Sequence, residues 1–577
     1  MSKLTKVRHI MPRGVKIKLI FLLLGIIAGA QIETLTLSLI QPFIWILTDP
    51  GVVYTNNLLN FAYRLFGFTG ISGFMALLAI VIAIAYAVRG LYFYFFERIR
   101  NLFIARNTVH FSNQVLAKTL QQSYQYHANN NIAQLQRVVI GNVNRMFGLI
   151  NATMSLLVDG FMSLFILIFL LFSSLSMTLT ILFLAGICIF IYFRIYRGKV
   201  KASGEDEARG NVMVNKSLLQ SLNGVKEIKV TGSEKYFTSR FVNISSSTIK
   251  NRARMQSMRQ LPKLFIESLC FSGAFIVVAI AIIYGVDMES LVPQLGLFVV
   301  AGFKLLPAIS RLVTNITQII RLSRSIDQVY DAMFQLDTEF GEVLPEPEEV
   351  IDSEDIAIEG LTFKYPKSKK PVLQDLSLTI PKNKSVAFIG ESGSGKSTLV
   401  DIILGVLAPS QGYVAYDGKS IHHNFSAWIK KVGYIPQTIY LLDETILENV
   451  AFGIEKDKID EEKVWQALEQ AQLKDYVQSL PEGLHTGVGD RGVRISGGQR
   501  QRIGIARALY HNPDILVMDE ATSALDNKTE KAVMEAIQSL KGNKTFIIVA
   551  HRLSTIKHCD IVYKVAKGKV KLVRGEV

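Results

Sequence analysis

The sequence predicts a multi-domain chain: an all-α, six-helix transmembrane domain fused to an α/β domain. Two observations lead there. Apolar runs long enough to cross a bilayer, about 18 residues or more, fall almost wholly before residue 325 of the 577. From residue 356 the pattern changes to short strands interleaved with helices, as in an α/β domain. The net charge of +15 is consistent with this arrangement. The basic clusters flank the apolar runs, as the positive-inside rule requires, so the charge does not point to a nucleic-acid partner.

Residues 1–18 carry Lys3, Lys6, Arg8, Arg13, Lys16 and Lys18 with no acid, which places them in the cytoplasm. The first span, 19–47, contains Gln31, Glu33 and Gln41, so one face avoids lipid; helix packing is the expected role of Glu33 and of Asp159. Asp49-Pro50-Gly51 ends it on the outer side. The stretch 55–68 is amphipathic and too short to span, which suits either a helix in the outer interface or an ordinary loop. The remaining spans are 71–96, 146–172, 177–196, 264–284 and 291–320. Outer turns are short, and the two inner loops are long, basic and helix-compatible, so the spans should continue as helices into the cytoplasm. The first apolar run is too long for a cleavable signal and lacks a small-residue cleavage site. Cys188, Cys270 and Cys559 have no metal or redox spacing.

Charges within a span cost roughly 2.5–3.5 kcal/mol on insertion scales and usually face a cavity. Arg89 lies roughly 27 Å into its span, and Lys304 roughly 20 Å into the last, with Arg311 a further 10 Å or so. Lys263 opens the fifth span from the inner side. Lys304 and Arg311 are seven residues apart, hence on nearly one helix face, with Pro307 between them. These four residues suit a basic belt around a cavity for an anionic head group, a phosphate or pyrophosphate. The competing reading is that they snorkel to the inner interface.

Residues 1–336 therefore form the membrane domain, the acidic, proline-bearing stretch 337–355 a linker, and 356–577 the α/β domain. Within the last lies Gly390-Glu391-Ser392-Gly393-Ser394-Gly395-Lys396-Ser397-Thr398, preceded by an apolar strand and followed by a helical pattern. Strand, glycine loop and helix are the context that makes G-x-x-x-x-G-K-[ST] a nucleotide-phosphate site. The glycines turn backbone N–H groups onto the phosphates, and the helix N-terminus adds its positive end. Lys396 would reach the β and γ phosphates and Ser397 would hold Mg²⁺.

Further motifs make residues 356–577 resemble the nucleotide-binding domain of an ABC transporter, a P-loop ATPase. Tyr365 matches the aromatic that stacks on adenine, and Gln437, after Tyr434-Ile435-Pro436, the Q-loop glutamine that touches Mg²⁺ or the attacking water. Ile495-Ser496-Gly497-Gly498-Gln499 matches the family signature, with Ile for the common Leu. Asp519 and Glu520 end an apolar strand. By resemblance Asp519 supports Mg²⁺ and Glu520 is the general base. Ser523-Ala524-Leu525-Asp526 matches the D-loop and His551 the switch histidine. The resemblance implies ATP hydrolysis, with catalytic roles for Glu520, His551 and Gln437. In this family the signature contacts the ATP held by a second domain. One P-loop, one signature and six spans make half a transporter, which implies a homodimer. Coupling helices are expected near residues 121–136 and 226–240.

Spans fused ahead of the nucleotide domain resemble the exporter type. Gln31-Ile32-Glu33-Thr34 and Gly302-Phe303-Lys304-Leu305-Leu306-Pro307, among other stretches, resemble the bacterial lipid-linked oligosaccharide flippases. That group has a basic belt for pyrophosphate and a short external helix after the first span. Arg89, Lys263, Lys304, Arg311 and the stretch 55–68 fall where these are expected. Two belt positions are Lys rather than Arg, which keeps charge but weakens bidentate binding. The resemblance implies a flippase in the bacterial plasma (inner) membrane for a polyprenyl-pyrophosphate-linked oligosaccharide. The alternatives are exporters of lipid A, other lipids, drugs or peptides. Six spans exclude a soluble ATPase of DNA repair or translation.

Overall fold

The structure, a computed structural model, describes residues 3–173, 212–283, 288–334, 355–489, 492–519, 537–550 and 556–575, except 367 and 369, with isolated positions between. The span read at 177–196, most of the linker, Cys188, Glu520, Ser523, Asp526 and His551 lie outside the described residues, as do the side chains of Lys263 and Cys270. The chain divides into two compact units, Met1–Gln121 with Ile132–Leu336, and Gln122–Asn131 with Asp337–Val577.

The described residues of the first unit form helices and the turns between them. A short α1 (Lys3–Ile10) leads into α2 (Arg13–Ser38) and α3 (Ile40–Thr48). The first apolar run is thus two helices meeting at Leu39. Pro42 explains the joint: it has no N–H to offer the Ser38 carbonyl four residues back, and its ring crowds that oxygen. The stretch read as amphipathic forms α4 (Val52–Thr55) and α5 (Asn57–Leu65). The Asn56 side chain caps α5 by accepting from the Leu58 and Leu59 N–H groups at 3.0 and 3.3 Å. Leu59 and Tyr63 pack on Ile46, Val53 and Phe74, while Leu58, Phe61, Leu65 and Phe66 stay exposed.

Helix α6 (Ile71–Leu120) has 50 residues, so at helical rise it is about 75 Å long, far beyond a bilayer core of about 30 Å. The expected cytoplasmic extension of the second span is therefore one unbroken helix. Helices α7 (Tyr124–Asn129) and α8 (Ile132–Gln136) follow, and a π-helical turn at Arg137–Asn142 joins α8 to α9 (Val143–Ser173). After α10 (Val225–Thr231), α11 (Glu234–Ile283) repeats the 50-residue length and includes residues 264–283 of the span read at 264–284. Helices α12 (Met288–Leu322) and α13 (Arg324–Phe334) complete the unit. Among the described residues four stretches are long and apolar enough to cross a membrane: Arg13–Thr48, Ile71–Leu120, Gln134–Ser173 and Val299–Phe334.

Two glycines set how closely α2 and α6 approach. A Cβ at Gly25 would lie 2.8 Å from the Phe96 ring, and one at Gly29 3.0 Å from Tyr92. Only small residues allow that approach, the usual device where lipid removes the hydrophobic drive between helices. Tyr92 closes the contact by donating its hydroxyl to the Gly25 carbonyl at 2.6 Å. On α2, positions 25, 29 and 33 lie one turn apart on a single face. On the antiparallel α6 the matching residues are Phe96, Tyr92 and Arg89. The glycine contact therefore brings Glu33 to Arg89.

Among its described residues the second unit holds two sheets. An antiparallel sheet has the order β2 (Leu373–Ile380), β1 (Ile356–Phe363), β4 (Gln411–Tyr416), β5 (Lys419–Ser420). A six-stranded sheet runs β10 (Lys569–Arg574), β9 (Ile561–Ala566), β3 (Ser385–Ile389), β8 (Thr545–Val549), β7 (Ile515–Asp519), β6 (Val432–Ile435), parallel except for β10. Strands β3, β7 and β8 are buried almost throughout, which is why they read as unbroken apolar runs. Parallel pairing puts the C-terminal ends of β3, β6 and β7 at one edge of the sheet. The glycine loop, Gln437 and Asp519 follow or end those strands.

Candidate functional site

Gly390 follows β3 with φ +152°, and a Cβ there would lie 2.2 Å from the Val565 carbonyl oxygen of β9. No other residue fits without moving that strand, so the loop leaves the sheet at glycine. Gly393 (φ +78°) and Gly395 (φ +107°) continue the turn. Lys396, the first residue of α14 (Lys396–Ile403), is buried and donates from Nζ to the carbonyls of Gly390 and Glu391 at 2.9 and 2.8 Å. The ammonium is thereby held over the mouth of the loop. The Ser394 hydroxyl is buried and has no hydrogen-bond partner among the described residues. Ser397 is exposed at the start of α14, and Thr398 Oγ1 lies 3.2 Å from the Tyr365 hydroxyl. This loop fits a nucleotide phosphate: an unpartnered hydroxyl, a positioned ammonium and the helix N-terminus converge on it.

Asp401, on α14, faces Asp519 at the end of β7. Burial, and then the Asp519 charge, push the Asp401 carboxyl up to about 6. The Ser397 hydroxyl and the Asp519 carboxylate are oxygen donors of the kind that Mg²⁺ takes. Tyr434 of β6 lies in the same field. Burial pushes its phenol up, and Asp519, Asp401 and Tyr124 of α7 add to the shift. Helix α7 therefore stands beside the strand that leads to Gln437, which is itself exposed.

Ser496 caps α15 (Gly497–Leu509). Its hydroxyl accepts from the Gln499 N–H at 3.2 Å, and the Gln499 side chain accepts from the Ser496 N–H at 2.8 Å. Ser496 and Gly497 are exposed, and Gly498 and Gln499 half-buried. A Cβ at Gly504 would lie 2.4 Å from Ile439, so α15 is pressed against the segment after Gln437. Arg507 fastens the same segment by donating to the carbonyls of Asn449 and Tyr440, both at 2.8 Å, and burial lowers the guanidinium to about 10.

In the first unit, Glu33 of α2 is paired with two cations. One carboxylate oxygen lies 3.1 Å from Lys304 Nζ of α12, and the other accepts from Arg89 Nε of α6. The Glu33 side chain is 2% exposed, whereas Arg89 is 25% and Lys304 24%. The Tyr86 ring faces both cations, 5.8 Å from the Arg89 guanidinium and 5.4 Å from the Lys304 ammonium. Arg311 is held apart from this trio. It donates from Nε to Asp159 Oδ1 of α9 at 2.8 Å.

Comparison with known proteins decides the family. Residues 19–301 match the ABC transporter transmembrane region and residues 373–523 the ABC transporter family. The chain is 31% identical over 479 residues to an ATP-dependent lipid A-core flippase of Cupriavidus metallidurans, covering 80% of this chain and 78% of that one. It belongs to the ABC transporters. A lipid A-core flippase of Vibrio cholerae is 32% identical over 361 residues, covering 62% of this transporter and 61% of the relative. A bacterial Atm1-family ABC exporter, solved with ATP bound, has the same fold, with a TM-score of 0.73 over 95% of both chains at 21% identity. The transporter is a multi-pass membrane protein whose ATPase domain couples ATP hydrolysis to transport.

Of the expected substrate residues, Arg89 and Lys304 meet on one carboxylate, Arg311 stands on another, and Lys263 lies on α11. Glu33 and Asp159, expected to serve helix packing, each hold a cation, and Tyr86 carries no mark in the sequence. The spacing Gly25, Gly29, Glu33 carried a signal for the first, since a carboxylate one turn beyond two close-approach glycines must meet the neighbouring helix. Asp401 and Arg507 were missed too, because nothing local marks either.

Proposed function

We propose that this transporter is an ATP-driven flippase for a lipid with a phosphate-bearing head group, carried from the inner to the outer side of the bacterial plasma membrane. The observation that carries the reading is the meeting of Arg89 and Lys304 inside the helical unit, each partly open and braced by Tyr86. Cations at that depth are costly unless they serve a site. Within this class, a polyprenyl-pyrophosphate-linked oligosaccharide is the substrate that the motifs around Glu33 and Lys304 favour. The names of the relatives favour lipid A-core, which is also a phosphorylated glycolipid.

On this reading Lys396, the loop N–H groups and Tyr365 would hold ATP, and Ser397, Asp519 and Gln437 would hold Mg²⁺. The ion would supply charge neutralisation at the phosphates. Glu520 would take the proton of the attacking water, and His551 and Asp526 would order the γ-phosphate edge. Exposure of Ser496 and Gly497 supports a homodimer in which a second copy offers its signature to this loop. Helix α7, placed in the sequence between membrane helices yet grouped with the nucleotide unit, supports coupling through that segment.

The test is flipping in proteoliposomes with a polyprenyl-pyrophosphate glycan, a lipid A-core and a hydrophobic cation offered separately. Lys304→Gln with Arg311→Gln should lower flipping of the phosphate lipids at least about tenfold, the loss expected from two charge-assisted contacts. Stimulation by the cation alone would overturn the reading, because a basic site repels it.

A further inference from the structure

We propose that Glu33 is a specificity-determining counter-ion that sets how much negative charge the membrane site accepts. The inference rests on the phosphate-lipid reading above and concerns the residue behind the two cations rather than the cations themselves. Glu33 uses both carboxylate oxygens, one on Arg89 and one on Lys304. It is almost fully buried, whereas both cations keep about a quarter of their surface open. The acid therefore lies behind the positive groups and does not compete from the open side.

Three helices supply the trio, α2, α6 and α12, and the glycine contact between α2 and α6 fixes where the carboxylate stands. Two like charges sharing one partner would otherwise repel and swing apart. Glu33 holds them side by side, in the way an outer-shell carboxylate orients a metal-bound histidine. It also cancels one of the two charges. Among the described residues Glu33 is the acid paired with either cation, so one positive charge of the trio remains unmatched. The Arg311–Asp159 pair, with one charge of each sign, leaves none. Among the described belt residues the unmatched charge thus lies on the trio of Arg89, Lys304 and Glu33, and Glu33 tunes it to a single charge. A site so tuned discriminates weakly between a phosphate monoester and a pyrophosphate. Without Glu33 it would carry two surplus charges and favour the more highly charged pyrophosphate.

The test uses the full-length protein in phosphatidylcholine vesicles doped with either a polyprenyl monophosphate or a polyprenyl pyrophosphate. The half-saturating lipid concentration for stimulated ATP hydrolysis is measured with each probe. Glu33→Gln should lower the half-saturating pyrophosphate lipid at least about threefold, and more than it lowers that of the monophosphate, because one extra unmatched charge acts at close range. Glu33→Gln combined with Lys304→Gln returns the trio to one unmatched charge and should restore the wild-type ratio between the two lipids. If the single variant fails to accumulate, the charge-balanced double variant carries the test, and an altered ratio in it overturns the inference. A stimulated wild type with the same half-saturation and ratio in Glu33→Gln overturns the role of Glu33 alone. A wild type that neither lipid stimulates overturns the phosphate-lipid reading and this inference with it.

Discussion

Removing Arg311 should cost far more stability than removing its partner Asp159, although both substitutions break the same ion pair. The Asp159 side chain is 5% exposed and that of Arg311 is 54%. Arg311→Gln leaves a carboxylate buried among helices, and breaking a buried pair in that sense costs about 3–5 kcal/mol. Arg100 is the other cation whose field reaches Asp159, and it is already paired with Glu97 at 2.6 Å. That residual field favours the lower end, about 3 kcal/mol. Asp159→Asn instead leaves a half-exposed guanidinium that water or a head group can solvate, at a cost of about 1 kcal/mol or less. The double variant removes both charges and keeps two amides that can hydrogen-bond, so it should lie within about 1 kcal/mol of the native protein. Equilibrium unfolding of the purified transporter in one detergent, read as a double-mutant cycle, measures all three. Equal costs for the two single changes, or a double variant as unstable as their sum, would refute the reasoning. The cycle also serves the transport test, because it separates loss of a head-group contact from loss of fold.

Other outcomes follow from the nucleotide unit. Glu520→Gln should still bind ATP and lose turnover at least about a hundredfold, the scale of a general base; steady-state hydrolysis at the native rate would reject the assignment. Asp401 titrates higher in the folded unit, near 6, than in the unfolded chain. The folded state then binds more protons between about pH 4 and 6, so nucleotide-free stability should fall as pH rises through that window. After allowance for solvent screening at a partly exposed carboxyl, the loss is about 1 kcal/mol. Asp401→Asn should remove this falling component from thermal unfolding scans between pH 4.5 and 7.5, and an unchanged slope would assign the effect to another group.

Legibility varied with the range of the interaction. The 50-residue α6 and α11 were foreseeable because long helix-compatible stretches continue apolar spans. The joint at Leu39 was not read, although Pro42 announces it, because hydropathy over a long window averages across a single missing hydrogen bond. The helix at Asn57–Leu65 was one of two readings left open at 55–68; the Asn56 cap and the packing of Leu59 and Tyr63 on Phe74 decide in its favour. Arg89, Lys304 and Arg311 were recognisable as costly charges in apolar runs, but their partners were not.

The glycine loop was determined by the sequence alone. A strand, a run of glycines at 390, 393 and 395, and a helix opened by Lys396 are contiguous, so one local pattern specifies both the backbone turn and the groups that line it. Four of the six spans read from hydropathy, 19–47, 71–96, 146–172 and 291–320, overlap the four described stretches long and apolar enough to cross a bilayer, since length and polarity settle that property. Tertiary structure alone decided the charge balance of the membrane site. Glu33 and Arg89 are 56 residues apart and Asp159 and Arg311 are 152 apart. Whether such residues meet depends on the rotation and register of packed helices, which glycine contacts and side-chain volumes set and which no single stretch of sequence contains.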